Sequence, residues 1–308
     1  MIRALVVCVG LLAAAPAAWA DAGADCDQDQ DQELSIRGCS ELIRKNPKNA
    51  IAYYNRAIAY SNKGEHDLAL KDYDSAIAAD PNYARAYNNR GNALRRKGQL
   101  DRAIEDFSKT ISLDSAHAIA HYNRGLTYDD KGQDDLALKD YNRAIMLNFR
   151  YAEAYNNRGN LLMRRNDLDR AIVDYTESIR FNNPLLHLPY ANRGGAYSKQ
   201  RRYDLAIADF NKAIEINAKS QAAFLGRGLA QDAKGNLDAA IEDFNRTLAL
   251  YAKHIEAIAY RGMTYEKKGL REQAIADYRA ALDLKAEDNE DRAAQAKARE
   301  RLAALGVR

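Results

Sequence analysis

Apolar residues recur along most of the chain at intervals of three or four, a spacing that is typical of amphipathic helices. The pattern returns about every 34 residues, and each copy holds two such stripes separated by a turn. Five of the seven turns carry glycine, which favours a helix C-terminal cap. We therefore predict seven antiparallel helix pairs. They span residues 50–83, 84–117, 118–151, 152–185, 187–220, 221–254 and 255–288.

Within each copy, numbered from position 1 at its first residue, small residues occupy positions 8, 20 and 27. Large residues prevail at positions 4, 11 and 24. Small residues let two helices approach closely, and large residues fill the remaining volume. One hairpin cannot bury its apolar stripe alone, so it must stack on the next. A fixed period of this size thus predicts a stack of similar units in place of a single globular core.

The period and the pattern of small and large residues resemble the tetratricopeptide repeat family, from Ala50 to about Asp288. The resemblance implies an all-α fold, a right-handed superhelical solenoid of stacked antiparallel helix pairs, with proteins or extended peptides as partners. The chain departs from the family at position 7, which is arginine where the family has aliphatic residues. Asn166 and Arg201 also replace the turn glycine.

Both ends of the array are predicted to be covered, because terminal repeats need a polar outer face. Residues 21–49 form an acidic leader followed by a half-repeat, whose helix is expected over residues 35–46. Residues 289–308 are expected to form a capping helix. Its stripe of Ala294, Ala298 and Leu302 would cover the last hairpin.

The first twenty residues read as a secretory signal, with a basic start at Arg3, an apolar stretch and Ala18-Trp19-Ala20. Cleavage is expected between Ala20 and Asp21, which predicts an exported protein, either periplasmic or secreted. The apolar stretch is too short to cross a bilayer, and no later stretch is long enough. We therefore expect no membrane insertion.

Charge and cysteine content narrow the classes of partner and the compartment. The 46 basic and 43 acidic side chains give a net charge of +3, which offers no footprint for nucleic acid. Two cysteines, Cys26 and Cys39, remain after the signal is removed. An even pair in an oxidising compartment predicts one disulfide, with two buried thiols as the alternative.

Two charged columns run through all seven copies. Position 7 is always arginine, at Arg56, Arg90, Arg124, Arg158, Arg193, Arg227 and Arg261. Position 23 is always aspartate, at Asp72, Asp106, Asp140, Asp174, Asp209, Asp243 and Asp277. Because position 7 borders the buried stripe, its guanidinium needs an acceptor or water. Our hypothesis is a ladder of structural Arg–Asp ion pairs, and the alternative is that both columns face solvent.

Asparagine fills position 6 in five consecutive copies, on the side of the first helix that faces away from its hairpin partner. These residues are Asn55, Asn89, Asn123, Asn157 and Asn192, and Asn88, Asn92, Asn156 and Asn160 extend the set. The arrangement is similar to asparagine ladders of family members that grip an extended peptide in a concave groove. An amide both donates and accepts, so it matches any peptide group. The alternative is that these residues solvate the helix or bond locally.

The sequence gives little support for a carboxylate-binding, metal-binding or catalytic site. The lysines of the family's carboxylate-binding device are missing, and His117 with His121 makes an incomplete zinc site, so we expect core or groove residues there. The aspartates of the leader lack the glycine and glutamate of a calcium loop, so we expect a solvated acidic segment there. We predict no enzyme activity, no metal and no cofactor. The expected function is an exported scaffold, acting as adaptor or assembly factor, and the alternative is a structural module that self-associates.

Overall fold

The computed structural model describes residues 22–27 and 30–307, so the predicted signal segment and its cleavage site lie outside the described residues. Within them, all regular structure is helical. No helix of this part combines the length and apolar character needed to cross a membrane. The helices are α1 (Ala22–Cys26), α2 (Gln32–Lys45), α3 (Ala50–Asn62), α4 (His66–Ala79), α5 (Ala84–Arg96), α6 (Leu100–Leu113), α7 (Ala118–Asp130), α8 (Asp134–Leu147), α9 (Ala152–Arg164), α10 (Leu168–Arg180), α11 (His187–Lys199), α12 (Tyr203–Ile216), α13 (Gln221–Ala233), α14 (Leu237–Leu250), α15 (Ile255–Lys267), α16 (Arg271–Asp283) and α17 (Asn289–Ala304).

The chain forms two compact units, of which the first ends at Lys131 and the second begins at Gly132. In unit 1, each helix from α1 to α7 packs against the next one, and α5 also contacts α7. In unit 2, α8 to α17 pack in the same consecutive manner, and α9, α11, α13 and α15 contact one another in turn. Each unit is thus a stack of antiparallel helix pairs whose first helices lie side by side.

Local sequence explains where the helices begin and end. Asn49 caps α3, because its side chain accepts a hydrogen bond from the backbone N–H of Ala52 at 3.1 Å. Gly64 ends the same helix with a φ of +80°, a conformation that glycine adopts without steric cost. Arg201 and Asn166 take the same left-handed conformation at φ 60° without being glycine. The turn therefore keeps its shape where the sequence departs from the repeat pattern.

Close packing inside each hairpin depends on the small residue at position 8. A Cβ added to Gly91 would lie 2.8 Å from the ring of Phe107, which is fully buried at position 24 of the same repeat. Because real side chains essentially never approach so closely, the glycine sets the distance between the two helices. The small and large positions predicted from the sequence are therefore in contact.

The arginine and aspartate columns lie together in six repeats, always within one hairpin. Nε and Nη2 of the arginine donate to the two carboxylate oxygens at 2.6–2.9 Å, a two-bond geometry that suits a planar guanidinium. The aspartates are buried. The pairs are Arg56–Asp72, Arg90–Asp106, Arg158–Asp174, Arg193–Asp209, Arg227–Asp243 and Arg261–Asp277.

The third nitrogen of these arginines reaches the preceding repeat. Nη1 of Arg90 donates to Asp74 at 2.6 Å, and Nη1 of Arg158 donates to Asn142 at 2.7 Å. Arg124 makes the corresponding bond to Ser108 at 2.9 Å. One side chain therefore joins the two helices of its own repeat and also fastens that repeat to the one before it.

A second set of inter-repeat ion pairs is exposed and was not predicted. A cation at position 14 contacts an acidic residue at position 18 of the preceding repeat. The pairs include Lys63–Glu33, Lys97–Asp67, Lys131–Asp101, Arg165–Asp135, Lys234–Asp204 and Lys268–Asp238. Exposed ion pairs of this kind each contribute little to stability.

Both ends of the array are covered, but the start differs from a freely solvated leader. Residues 22–26 form the short helix α1, which packs on α2 so closely that a Cβ added to Gly38 would lie 2.6 Å from Asp25 Cβ. A disulfide joins Cys26 to Cys39. At the other end, α17 packs on α15 and α16 and buries Ala294, Ala298 and Leu302.

Candidate peptide-binding face

The asparagines of position 6 lie on the first helices of their repeats, where these helices stand side by side. We call this surface of each unit its asparagine face, which comprises α3, α5 and α7 in unit 1, and α9 and α11 in unit 2. Each unit carries one hydrogen-bonded set of amides on this face. The sequence predicted the residues, but it did not predict that they would bond to one another.

In unit 1 a chain of hydrogen bonds crosses three helices. Asn123 Nδ2 on α7 donates to Asn88 Oδ1 on α5 at 3.2 Å, and Asn88 Nδ2 donates to Asn89 Oδ1 at 3.1 Å. Asn89 Nδ2 then donates to the hydroxyl of Tyr54 on α3 at 3.0 Å. Asn88 and Asn123 are almost fully buried, and Asn89 is half-buried. The chain therefore fixes the orientation of the amides that border the surface.

Unit 2 contains a similar network of hydrogen bonds, two repeats further along the chain. Asn192 Nδ2 on α11 donates to Asn156 Oδ1 at 3.1 Å, and Asn156 Nδ2 donates to Asn157 Oδ1 at 3.2 Å. Asn192 Nδ2 also donates to Asn160 Oδ1 at 3.0 Å, and the hydroxyl of Tyr175 donates to the same oxygen at 2.9 Å. This network is anchored from the second helix of its hairpin as well as from the first.

These bonds leave hydrogen-bonding capacity unused. An amide side chain offers two donor hydrogens and two acceptor lone pairs. Asn89 spends one of each within unit 1, on Tyr54 and on Asn88. Its oxygen therefore keeps one lone pair for a peptide N–H, and its second N–H, which also interacts with the Tyr73 hydroxyl, is the donor left for a peptide carbonyl. Prior fixation reduces the entropy that binding would otherwise cost.

Asn55, the first member of the column, is already bonded to the leader. Its Nδ2 donates to Asp27 Oδ1 at 2.8 Å, just beyond α1. Only a small cavity of about 40 Å³ remains at this place, between α1 and α3. The leader thus covers the first position of the asparagine face.

An open cavity of about 190 Å³ follows between α3 and α5. Asn89 and Asn92 line it, together with Tyr73 and Arg96. Within the described residues, the side chains of Asn92 and Arg96 have no hydrogen-bond or ion-pair partner. In this cavity, polar groups without partners surround a concave space large enough for a side chain.

Tyrosine hydroxyls next to the asparagines remain protonated donors at physiological pH. Burial raises the pKa of Tyr54 and raises that of Tyr73 well above its usual range, and Asn89 lowers both to a lesser extent. Burial also raises the pKa of Tyr175 strongly. Sequence reasoning missed both tyrosines as members of the networks. Tyr175 lies at position 24, which was assigned to packing, and Tyr54 lies at position 5, where asparagines but not the tyrosine were expected to bind.

The asparagine column ends at repeat 6 for a steric reason. A Cβ added to Gly226 at position 6 would lie 2.4 Å from Cζ of Phe210, which is buried in the preceding repeat. Asparagine therefore does not fit there without displacing the ring. In repeat 7 the position belongs to Tyr260, whose hydroxyl accepts a hydrogen bond from Lys297 of α17 at 3.2 Å.

The two histidines considered as metal ligands have other surroundings. His117 caps α7, since its Nδ1 accepts a hydrogen bond from the N–H of Ala120 at 3.1 Å. His121 is buried. The residues that the structure describes contain no cluster of three or more histidine, cysteine or acidic side chains placed to hold a metal ion.

Comparison with family models agrees with the fold. Tetratricopeptide repeat models match residues 37–83, 118–151, 152–183 and 188–220, and further models of the same repeat match 73–105, 91–132, 222–254 and 256–288. The chain belongs to the tetratricopeptide repeat family. A search of curated proteins returned no match.

Solved structures with the same fold include proteins of different origin. YrrB, described as a TPR protein with an unusual peptide-binding site, shares 27% identity over 61% of this chain and 96% of its own, with a TM-score of 0.51. A chain of the APC/C hetero-tetramer Cut9–Hcn1 has a TM-score of 0.63 at 18% identity, and the match spans 87% of this chain but only 52% of that one. A repeat protein from Parabacteroides merdae has a TM-score of 0.60 at 20% identity, covering 85% and 98% of the two chains. At these last two identities the likeness extends to the fold alone.

Proposed function

We propose that this protein is an exported scaffold that binds extended peptide segments of other proteins on its asparagine face. The observation that carries the proposal is the pair of amide networks, one in each unit, in which half-buried amide groups are held in fixed orientations by buried ones. A surface that only needed solvation would have no reason to order its amides in this way.

The backbone of the ligand is the part that such a surface recognises. Each amide with unused capacity can donate to a peptide carbonyl and accept from a peptide N–H, whatever the side chain of the ligand. Recognition then depends on several equivalent hydrogen bonds of about 1 kcal/mol each. This predicts moderate affinity and broad tolerance of ligand sequence, which suits an adaptor or assembly factor.

Three further observations support the proposal. YrrB, which shares 27% identity with this chain, is described by its peptide-binding site. Tetratricopeptide proteins are generally non-catalytic scaffolds. The Cys26–Cys39 disulfide and the signal-like segment before it support export into an oxidising compartment, where such a bond persists.

The test begins with selection of ligands from a displayed library of random 12-residue peptides by the mature chain, residues 21–308. The affinity of a selected peptide is then measured by calorimetry for the wild type and for the double variant Asn89→Ala with Asn123→Ala. Loss of the Asn89 contact, and of the buried Asn123 amide that orients Asn89 through Asn88, should weaken binding by about 2 kcal/mol, or roughly 30-fold. Asn82→Ala is the matched control, because Asn82 is an exposed asparagine in the turn between α4 and α5.

Backbone recognition is tested on the ligand itself. Methylation of one peptide nitrogen in the contacted stretch should weaken binding about fivefold, because it removes one donor. Alanine replacement of neighbouring ligand side chains should change affinity much less. Full affinity of the double variant, or selection of no peptide at all, would refute the proposed function. Sedimentation of the free chain at several concentrations checks the self-association alternative.

A further inference from the structure

Two crevices on the asparagine face of unit 1 correspond to each other at a distance of one repeat. We call the one between α1 and α3 the first crevice and the one between α3 and α5 the second crevice. Asn55, Ile58 and Ala59 line the first crevice at positions 6, 9 and 10 of repeat 1. The second crevice is lined by Asn89, Asn92 and Ala93 at the same positions of repeat 2.

A carboxylate of the chain itself occupies the first crevice. Asp27 accepts a hydrogen bond from Asn55 Nδ2 at 2.8 Å, and the space left is about 40 Å³. Ser61 stands 34 residues after Asp27 and lines the second crevice, so the second crevice has a short hydroxyl where the first has an acid. Its cavity is correspondingly larger, about 190 Å³.

The second crevice also carries a positive charge that nothing in the described residues balances. No acidic residue lines the cavity, and Arg96 at its edge has no ion-pair partner there. Its neighbour Arg95 differs in this respect, since Arg95 Nε donates to Asp130 at 2.6 Å. The side chain of Asn92 is likewise without a hydrogen-bond partner, where the first crevice has the apolar Ile58.

We propose that the second crevice binds the side-chain carboxylate of an aspartate or glutamate within the bound peptide. Asn89 and Asn92 would donate to it as Asn55 donates to Asp27, and Arg96 would supply a charge-assisted hydrogen bond. Asp27 shows that an internal acidic side chain, and not only a chain terminus, reaches such a position. The inference rests on the proposed function, and it adds a specificity for acidic segments to a surface that otherwise reads the backbone.

The experiment compares two displayed libraries of 12-residue peptides on the full mature chain. In one library the peptides are fused through their C-termini, so only side chains supply carboxylates, and in the other the C-termini are free. The wild type should enrich aspartate or glutamate at one internal position of the first library. Changing that residue to its amide should lower affinity about tenfold for the wild type and leave it nearly unchanged for Arg96→Gln.

Controls separate this inference from the proposed function. Arg102→Gln removes the same charge from α6, outside the crevice, and should retain the full preference for the acidic peptide. Asn92→Ile installs the residue of the first crevice and should reduce the preference without unfolding the chain. Peptides selected without acidic enrichment, or enrichment confined to free C-termini, would overturn the inference while leaving the proposed function intact. Selection of no peptides would refute both.

Discussion

The two amide networks come from the same stretch of sequence, AYNNRGN, which begins at Ala86 in unit 1 and at Ala154 in unit 2. Their position-9 asparagines nevertheless differ. Asn160 accepts hydrogen bonds from Tyr175 and Asn192, whereas Asn92 has no partner among the described side chains. Part of the difference lies at position 24, where unit 1 has Phe107 and unit 2 has Tyr175. A phenolic oxygen on the second helix thus helps to decide whether an amide on the first helix is held or remains available to a ligand.

The largest expected effect concerns the ion pairs that hold the two hairpins. In Asp174→Ala, Arg158 would keep only the neutral Asn142 as partner, whereas in Asp106→Ala, Arg90 would keep the carboxylate of Asp74. We expect a loss of about 3 kcal/mol for Asp174→Ala, since a buried charge loses its acceptor, and about 2 kcal/mol for Asp106→Ala. Urea unfolding of the two variants measures both values. Equal losses of 0.5 kcal/mol or less would show that these pairs behave like surface pairs.

The next effect concerns the end of the second network. Gly226→Asn would add another asparagine to the column of unit 2, but its Cβ would meet the buried ring of Phe210. We expect a loss of about 2 kcal/mol in the free energy of unfolding from this overpacking. Gly195→Asn is the matched control, because its Cβ would meet only the mobile end of Met163 at 3.3 Å. If both variants are equally stable, the ring does not limit the column.

The smallest expected effect concerns position 24, where the two amide networks differ. Tyr175→Phe removes the bond to Asn160 and should cost about 1 kcal/mol, because it also leaves a partly buried amide oxygen with one partner fewer. Phe107→Tyr should instead tie up Asn92 in unit 1 at little cost in stability. Its clearest readout is weaker peptide binding by unit 1, measured as for the wild type. If Phe107→Tyr binds the peptide with unchanged affinity, Asn92 does not take part in recognition.

Much of the fold follows from the sequence, because the repeat supplies several aligned examples of each contact. The helices α3, α5, α7, α9, α11, α13 and α15 begin at the first residue of each numbered copy. The capping helix α17 likewise covers the last hairpin with the expected stripe. These elements depend on local patterns of small and large residues, which can be recognised in a single sequence.

The candidate site was predictable only as a column of residue types. Tyr175 lies at position 24, which the repeat pattern uses for packing, and Tyr54 lies at position 5, where residue types vary between copies, so neither tyrosine carried a separate signal. The leader is a similar case, since five acidic residues in eleven predict solvation. Its helix α1 depends on the tight approach at Gly38 and on a bond to Asn55 in another repeat. Such contacts join distant parts of the chain, and composition does not reveal them.

The arginine of position 7 has a consequence for how this array could have grown. In six copies a guanidinium binds the aspartate of its own copy with two nitrogens and donates from the third to the copy that precedes it. The preceding copy needs only a polar side chain there, and serine, threonine, asparagine and aspartate all serve. A duplicated segment therefore already contains the arginine that binds it to the preceding copy. It can follow any other copy without a new interface having to evolve.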